Sequence, residues 1–160
     1  MKDAGDSPSA VALALAMLAR RALTRAEVVE KLGRRVDPDE RDAALARLDE
    51  MRVLDDRGLA ERVAHDGLAR RGFGRHRIRS ELLRRGVEPA VVEDAIGRVF
   101  EDEAERAAAS TALARFRKRR GSRRQSPQKE AAAEFRHLIG RGFPAGLVRD
   151  LLRDIQELSL

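Results

Sequence analysis

The chain has 160 residues, 42% of them apolar but only 3% aromatic and none Trp or Tyr, so its core must be built from Leu, Val, Ile and Ala, a helix-favouring set. The absence of Cys excludes a disulfide framework and thiolate chemistry, and three His leave few imidazole ligands for a metal. Lys and Arg number 33 against 27 Asp and Glu, a net charge of +6 that suits an anionic partner or an acidic protein surface.

Residues 1–8 are polar and predict a disordered N-terminus, with Ser7-Pro8 as the cap and first-turn proline of a helix carrying Val11, Leu15 and Leu18. The apolar run Ala10 to Ala19 falls short of the about 20 residues a bilayer span needs. Asp3 and Asp6 offset Lys2 before it, so it predicts a core helix, not a signal peptide, and a cytoplasmic protein. Thr24 and Glu27 have the spacing of a capping box, and Gly33 predicts a left-handed stop. A third helix opens at Asp37-Pro38 and should bury Ala44, Leu45, Leu48 and Met51.

Asp55 and Asp56 suit the positive end of a helix carrying Leu59, Val63 and Gly67. After Gly72-Phe73-Gly74, a helix with Ile78, Leu82 and Leu83 on its buried face runs to Gly86. Another follows Glu88-Pro89 with Val91, Val92, Ala95, Ile96 and Val99. An alanine-rich helix (Ala104, Ala107, Ala108, Thr111, Ala112) then runs into Phe116 and a basic linker, residues 117–125, before Ser126-Pro127 restarts a helix.

These segments repeat. Glu30-Lys31-Leu32 and Val36-Asp37-Pro38 match Glu81-Leu82-Leu83 and Val87-Glu88-Pro89 at an offset of 51. Leu138-Ile139, Arg141-Gly142 and Leu147-Val148 match Leu82-Leu83, Arg85-Gly86 and Val91-Val92 at 56. The periodicity predicts an all-α protein of about nine helices in three tandem three-helix, helix-turn-helix-like repeats: 9–54, 55–101 and 102–158. Asp55, Asp56, Gly72, Gly74, Ile78, Gly86 and Gly142 are its structural motif.

The order Leu54-Asp55-Asp56, Ala60, Gly72-Phe73-Gly74, Arg77-Ile78, Glu81-Leu82, Gly86-Val87 and Arg141-Gly142-Phe143 resembles the RecX family of regulators of the RecA recombinase. The resemblance implies an elongated, curved repeat array that lies in the groove of the RecA-DNA filament as a monomer. It also implies lowered RecA ATPase, strand-exchange and coprotease activities, in recombination, DNA repair and the SOS response. Two positions depart from the family, which often has an aromatic residue where Leu59 stands and a proline where Arg75 stands.

No catalytic, cofactor or metal constellation emerges. Gly72-Phe73-Gly74 follows a helix rather than a strand. His65, His76 and His137 share no ligand spacing, and helix capping accounts for Asp55-Asp56. Basic clusters are the better candidates for contacting the filament: Arg70, Arg71, Arg75, Arg77, Arg84 and Arg85, then Arg117, Lys118, Arg119, Arg120, Arg123 and Arg124. By contrast, residues 37–61 hold nine acids and four Arg. A helix-turn-helix DNA-binding module is the rival reading. Its recognition helices would, however, present Asp37, Asp39, Glu40 and Asp42, or Glu88, Glu93 and Asp94, to phosphates. Few aromatics are available to stack on bases: Phe100 and Phe135 fit buried stripes, Phe73 and Phe143 fit unit corners, and only Phe116 lies among basic residues. Direct nucleic-acid contact would therefore be phosphate-driven and salt-sensitive.

Overall fold

A computed structural model describes residues 9–121 and 126–157. Among these the chain is all helix: α1 Ala10–Arg20, α2 Arg25–Gly33, α3 Pro38–Glu50, α4 Asp56–Asp66, α5 Arg75–Arg84, α6 Pro89–Val99, α7 Asp102–Arg120, α8 Pro127–Gly140 and α9 Ala145–Glu157. A π-helical turn, Gly67–Arg71, extends α4. Three separate apolar cores form, one within α1–α3, one within α4–α6 and one within α7–α9.

Local chemistry sets the helix starts. In α2 both halves of the capping box are made, with Glu27 N–H donating to Thr24 Oγ1 and Thr24 N–H to Glu27 Oε2, each at 3.0 Å. Asp37 and Asp55 cap α3 and α4 by accepting the N–H groups of Glu40 and Gly58. The cap of α1 is Ser9, which accepts from Ala12 N–H, while Ser7-Pro8 lies outside the described residues. Its fully buried positions are Ala10 and Ala14; Val11, Leu15 and Leu18 are only half-buried around them.

Three packing expectations are corrected. Met51 is 41% exposed because α3 ends at Glu50 and Arg52, at φ +54°, turns the chain and sends Leu54 toward the first core instead. Leu83 is 43% exposed, as is its match Ile139 at 38%, since each follows a fully buried leucine, Leu82 or Leu138, and points off the core face. Gly33 remains helical and Arg34 after it is also right-handed, so Gly33 is not a left-handed stop. That role falls to Gly86 (φ +75°) and Gly142 (φ +88°), where Val87 and Phe143 N–H close the turn on the carbonyls of Leu82 and Leu138.

The same turn corrects the repeat register. Buried Val28 and Leu32 lie 50 residues before buried Ile78 and Leu82, and the N-caps Thr24 and Gly74 are likewise 50 apart. Pro38 and Pro89, at the starts of α3 and α6, are 51 apart. The first unit makes its second turn one residue shorter, closing it from Val36 N–H to Leu32 O. The 56-residue match holds throughout, with Leu138 and Val148 as fully buried as Leu82 and Val92.

The expected linker is also shorter. Arg117 to Arg120 belong to the last turn of α7, and Gly121 ends the helix at φ +61°.

Gly142 sits where an added Cβ would overlap the backbone of Arg77, whereas nothing lies near a Cβ at Gly97 in α6. Gly142→Ala should therefore cost about 2–4 kcal/mol, and Gly97→Ala should add about 0.5–1 kcal/mol of stability. Urea unfolding followed by circular dichroism measures both.

Candidate partner-binding surface

The units meet through polar joints built twice to one plan. At the first, the backbone N–H of Arg25, opening α2, donates to Asp56 Oδ1 of the next unit at 2.8 Å. At the second, the N–H of Arg75, opening α5, donates to Glu105 Oε1 at 2.8 Å. A helix start has N–H groups with no partner inside the helix, and here the following unit supplies a carboxylate.

An arginine of the following unit reaches back in each joint. The Arg85 carbonyl accepts from Thr24 Oγ1 (2.6 Å), and its guanidinium donates to Ala22 O and to both Glu27 oxygens. The Arg141 carbonyl accepts from Gly74 N–H (2.9 Å), and its guanidinium donates to Gly72 O (2.7 Å) and Arg71 O. Thr24 and Gly74 are equivalent N-caps, so these are quasi-equivalent clasps. Burial opposes the charge of Glu27, but the hydrogen bond from Arg85, the Thr24 N–H and the charges of Arg85 and Arg21 together hold its carboxyl below the ordinary value.

The second joint is the more elaborate. His76 N–H donates to Gly142 O at 3.0 Å, and a Cβ at Gly74 would overlap the Gly142 and Phe143 backbone. Glu105 is fully buried, and Arg75 Nε meets its second oxygen at 2.5 Å while Nη2 bonds Phe100 O and Asp102. Arg75, a departure from the family pattern, thus neutralises the one fully buried carboxylate among the described residues. Leu59, the other departure, is a buried core residue of the second unit.

The remaining motif residues also have structural partners. Gly72 takes φ +59° to end the π-helical turn, and the chain at Gly67 is so close to Ile78 that a Cβ there would overlap its side chain. Gly86 packs against Ala26, where a Cβ would clash. Asp55 caps its own helix, whereas Asp56 serves the first joint.

Of the predicted contact residues, several are tied within the chain. Arg71 pairs with Glu81 at 2.9 Å, Arg75 and Arg85 belong to joints, and Arg117 is held by both oxygens of Glu134. Arg77 lies over the Phe73 ring at 4.0 Å and reaches Gly140 O, and Arg120 lies over Phe116. Arg70, 84% exposed on its side chain, has only a 3.6 Å contact to Asp66, and Arg84 only a long bond to Ser80 O. Lys118 and Arg119 are exposed in the last turns of α7. Arg123 and Arg124 lie outside the described residues.

Sequence reasoning counted Arg115 in the basic run that starts there but left it out of the candidate contacts, although it stands one turn from Arg119 on α7, and it missed Arg141 as a clasp residue. The Arg-Gly pairs at 85–86 and 141–142 carried that signal, but as a repeat rather than as a contact. Phe143 is buried in the third core and Phe73 is sandwiched by arginines, so neither offers a free stacking face. Phe116 stacks on His137, with ring centres 4.2 Å apart. Among the described residues no three His, Asp or Glu gather as metal ligands, and no helix is long and apolar enough to cross a membrane.

At α3 the exposed carboxylates Asp39 and Glu40 occupy the first turn, and in α6 Glu93 pairs with Arg79 at 2.6 Å. Acids at these ends oppose insertion into a DNA groove.

Two family models match the chain: "RecX, first three-helix domain" over residues 10–48 and "RecX, second three-helix domain" over residues 55–96. A regulatory protein RecX of Thermus thermophilus is 38% identical over 148 residues, covering 92% of this chain and 93% of that one. The same-named protein of Thermobifida fusca is 33% identical, covering 91% and 78%. A crystal structure of RecX from Lactobacillus salivarius superposes with a TM-score of 0.81 at 19% identity, covering 92% and 94% of the two chains.

Glu105→Ala would leave the backbone N–H and the Nε of Arg75 without their acceptor inside the joint; we expect a loss of about 3–5 kcal/mol in chemical denaturation. A pH effect is also expected in the third unit. Burial, then the charges of Arg141 and Arg119, hold the His137 pKa below its ordinary 6.5. The unfolded chain then binds that proton first, so stability should be complete above 6.5 and fall as pH drops below it. Thermal melts from about pH 7.5 to 5.5 should show this slope, and His137→Gln should flatten it.

Proposed function

Because the chain belongs to the RecX family of regulatory proteins, we propose that it acts on the RecA recombinase, binding the RecA-DNA filament and lowering its ATPase, strand-exchange and coprotease activities. The observation that carries this reading is the identity to regulatory protein RecX across nearly the full length of both chains. Three units, 9–54, 55–101 and 102–158, would span neighbouring filament subunits, and the joints would hold the units at fixed angles. A monomer, working without cofactor or catalysis, suffices for this role.

The arginines fall into two groups on this reading. Arg71, Arg75, Arg85 and Arg117 shape the array through internal ion pairs. Arg84 and Lys118, which have no carboxylate partner among the described residues, and exposed Arg70, held only by a 3.6 Å contact to Asp66, are the proposed contacts to the filament. The acidic stretch 37–61 faces protein rather than phosphate. Filament affinity should then fall with added salt, because phosphate contacts release counter-ions.

The deciding experiment titrates this protein into the cognate RecA, preassembled on single-stranded DNA, and follows DNA-stimulated ATPase. Inhibition well below one molecule per RecA subunit is expected, with Arg70→Ala/Arg84→Ala/Lys118→Ala shifting the half-inhibition point upward by about tenfold. No inhibition at stoichiometric excess of folded protein would overturn the proposal.

A further inference from the structure

Three basic side chains with no carboxylate partner among the described residues, Arg115, Arg119 and Arg141, meet at one place. Where the π-helical turn of the second unit faces α7 of the third, a trench of about 370 Å³ opens. Ala69, Ala104 and Ala108 line part of it, and Thr111, Arg115, Arg119 and Arg141 supply its polar groups. Thr111, Arg115 and Arg119 are four apart on one helix and so share a face.

No carboxylate lines this trench. Three other clefts among the described residues each contain at least one: Glu130 and Glu134 at the far end of α7, Asp102 and Asp150 beside Arg75, Asp66 and Glu81 near the first joint. The cations are also close enough to strain one another. Burial, then Arg119, Arg77 and Arg115, push the Arg141 pKa down, and burial, then Arg141 and Arg119, do the same to His137. Yet Arg141 cannot swing away, because the carbonyls of Gly72 and Arg71 hold its guanidinium.

A concave, carboxylate-free site with a preset guanidinium and two more on an adjacent helix turn lacks one thing, a multiply charged anion. Guanidinium groups match phosphate oxygens in forked pairs, and a single carboxylate would neutralise only one of the three. The small side chains leave room beside the cations for a sugar or base. We propose that this trench is a phosphate-binding site of nucleotide size, with Arg115, Arg119 and Arg141 on the phosphates and Thr111 as hydroxyl donor. The phosphates come either from a free nucleoside polyphosphate or from a nucleic-acid strand. The site is a property of the free protein and does not depend on the filament reading.

Isothermal titration of the full chain, without RecA, tests it with two probes at about 0.1 M salt: inorganic tripolyphosphate and a short thymidine oligonucleotide. The variant is Arg115→Gln/Arg119→Gln. The control, Arg20→Gln/Arg35→Gln, removes equal charge from exposed sites in the first unit. Circular dichroism verifies that both remain helical. Binding should weaken by about tenfold or more in the variant and by no more than about twofold in the control. Loss of tripolyphosphate binding assigns the site to free polyphosphate, and loss confined to the oligonucleotide assigns it to strand phosphates. No binding of either probe to the unmodified protein, or equal weakening in variant and control, overturns the proposal. Since RecA is absent, that result leaves the ATPase titration to judge the filament reading separately.

Discussion

The start of the second helix in a unit carries N–H groups that its own residues do not fully satisfy, and the rest of the array depends on how they are answered. In the first unit Thr24 and Glu27 provide part of the answer locally. In the second unit the N-cap is Gly74, whose missing side chain lets the third unit's backbone approach and take over. In both cases a carboxylate from the next unit completes the cap. A need that arises from helix geometry is thereby converted into a joint with a fixed position and angle.

This explains why such small units form one structure. The cores are mostly aliphatic side chains and alanine, with Phe100 and Phe143 buried in the second and third, and among the described residues no apolar cluster crosses between units. Buried hydrogen bonds carry little net stability, but they are costly to leave unmade, so they specify geometry more than they strengthen it. Stability is supplied within the units and shape between them, as expected of a repeat protein whose units interact with nearest neighbours.

Helix content, caps and most core positions were legible in the sequence because they follow from local spacing. Thr24 and Glu27 announce a capping box, and Ile78, Leu82, Val92 and Ile96 announce a buried face. What escaped was set by single residues at turns. Gly33 reads as a stop, yet the left-handed position is Gly86 in the second unit and has no glycine counterpart in the first, which shifts the register by one. The candidate surface was less legible still. Arg71, Arg75, Arg85 and Arg117 look like any other member of a basic run, and their carboxylate partners lie 10, 30, 58 and 17 residues away. Charge composition counts cations; only the fold shows which are already neutralised.

The clasps also have a mechanical meaning. Hydrogen bonds of 2.6 to 3.0 Å lose their hold within an ångström or so of stretch, whereas an apolar interface can slide and repack. The array therefore resists bending stiffly up to a small strain and then yields at a joint, with the helices on either side intact. Bending would be taken up at discrete joints, not along a continuous spring.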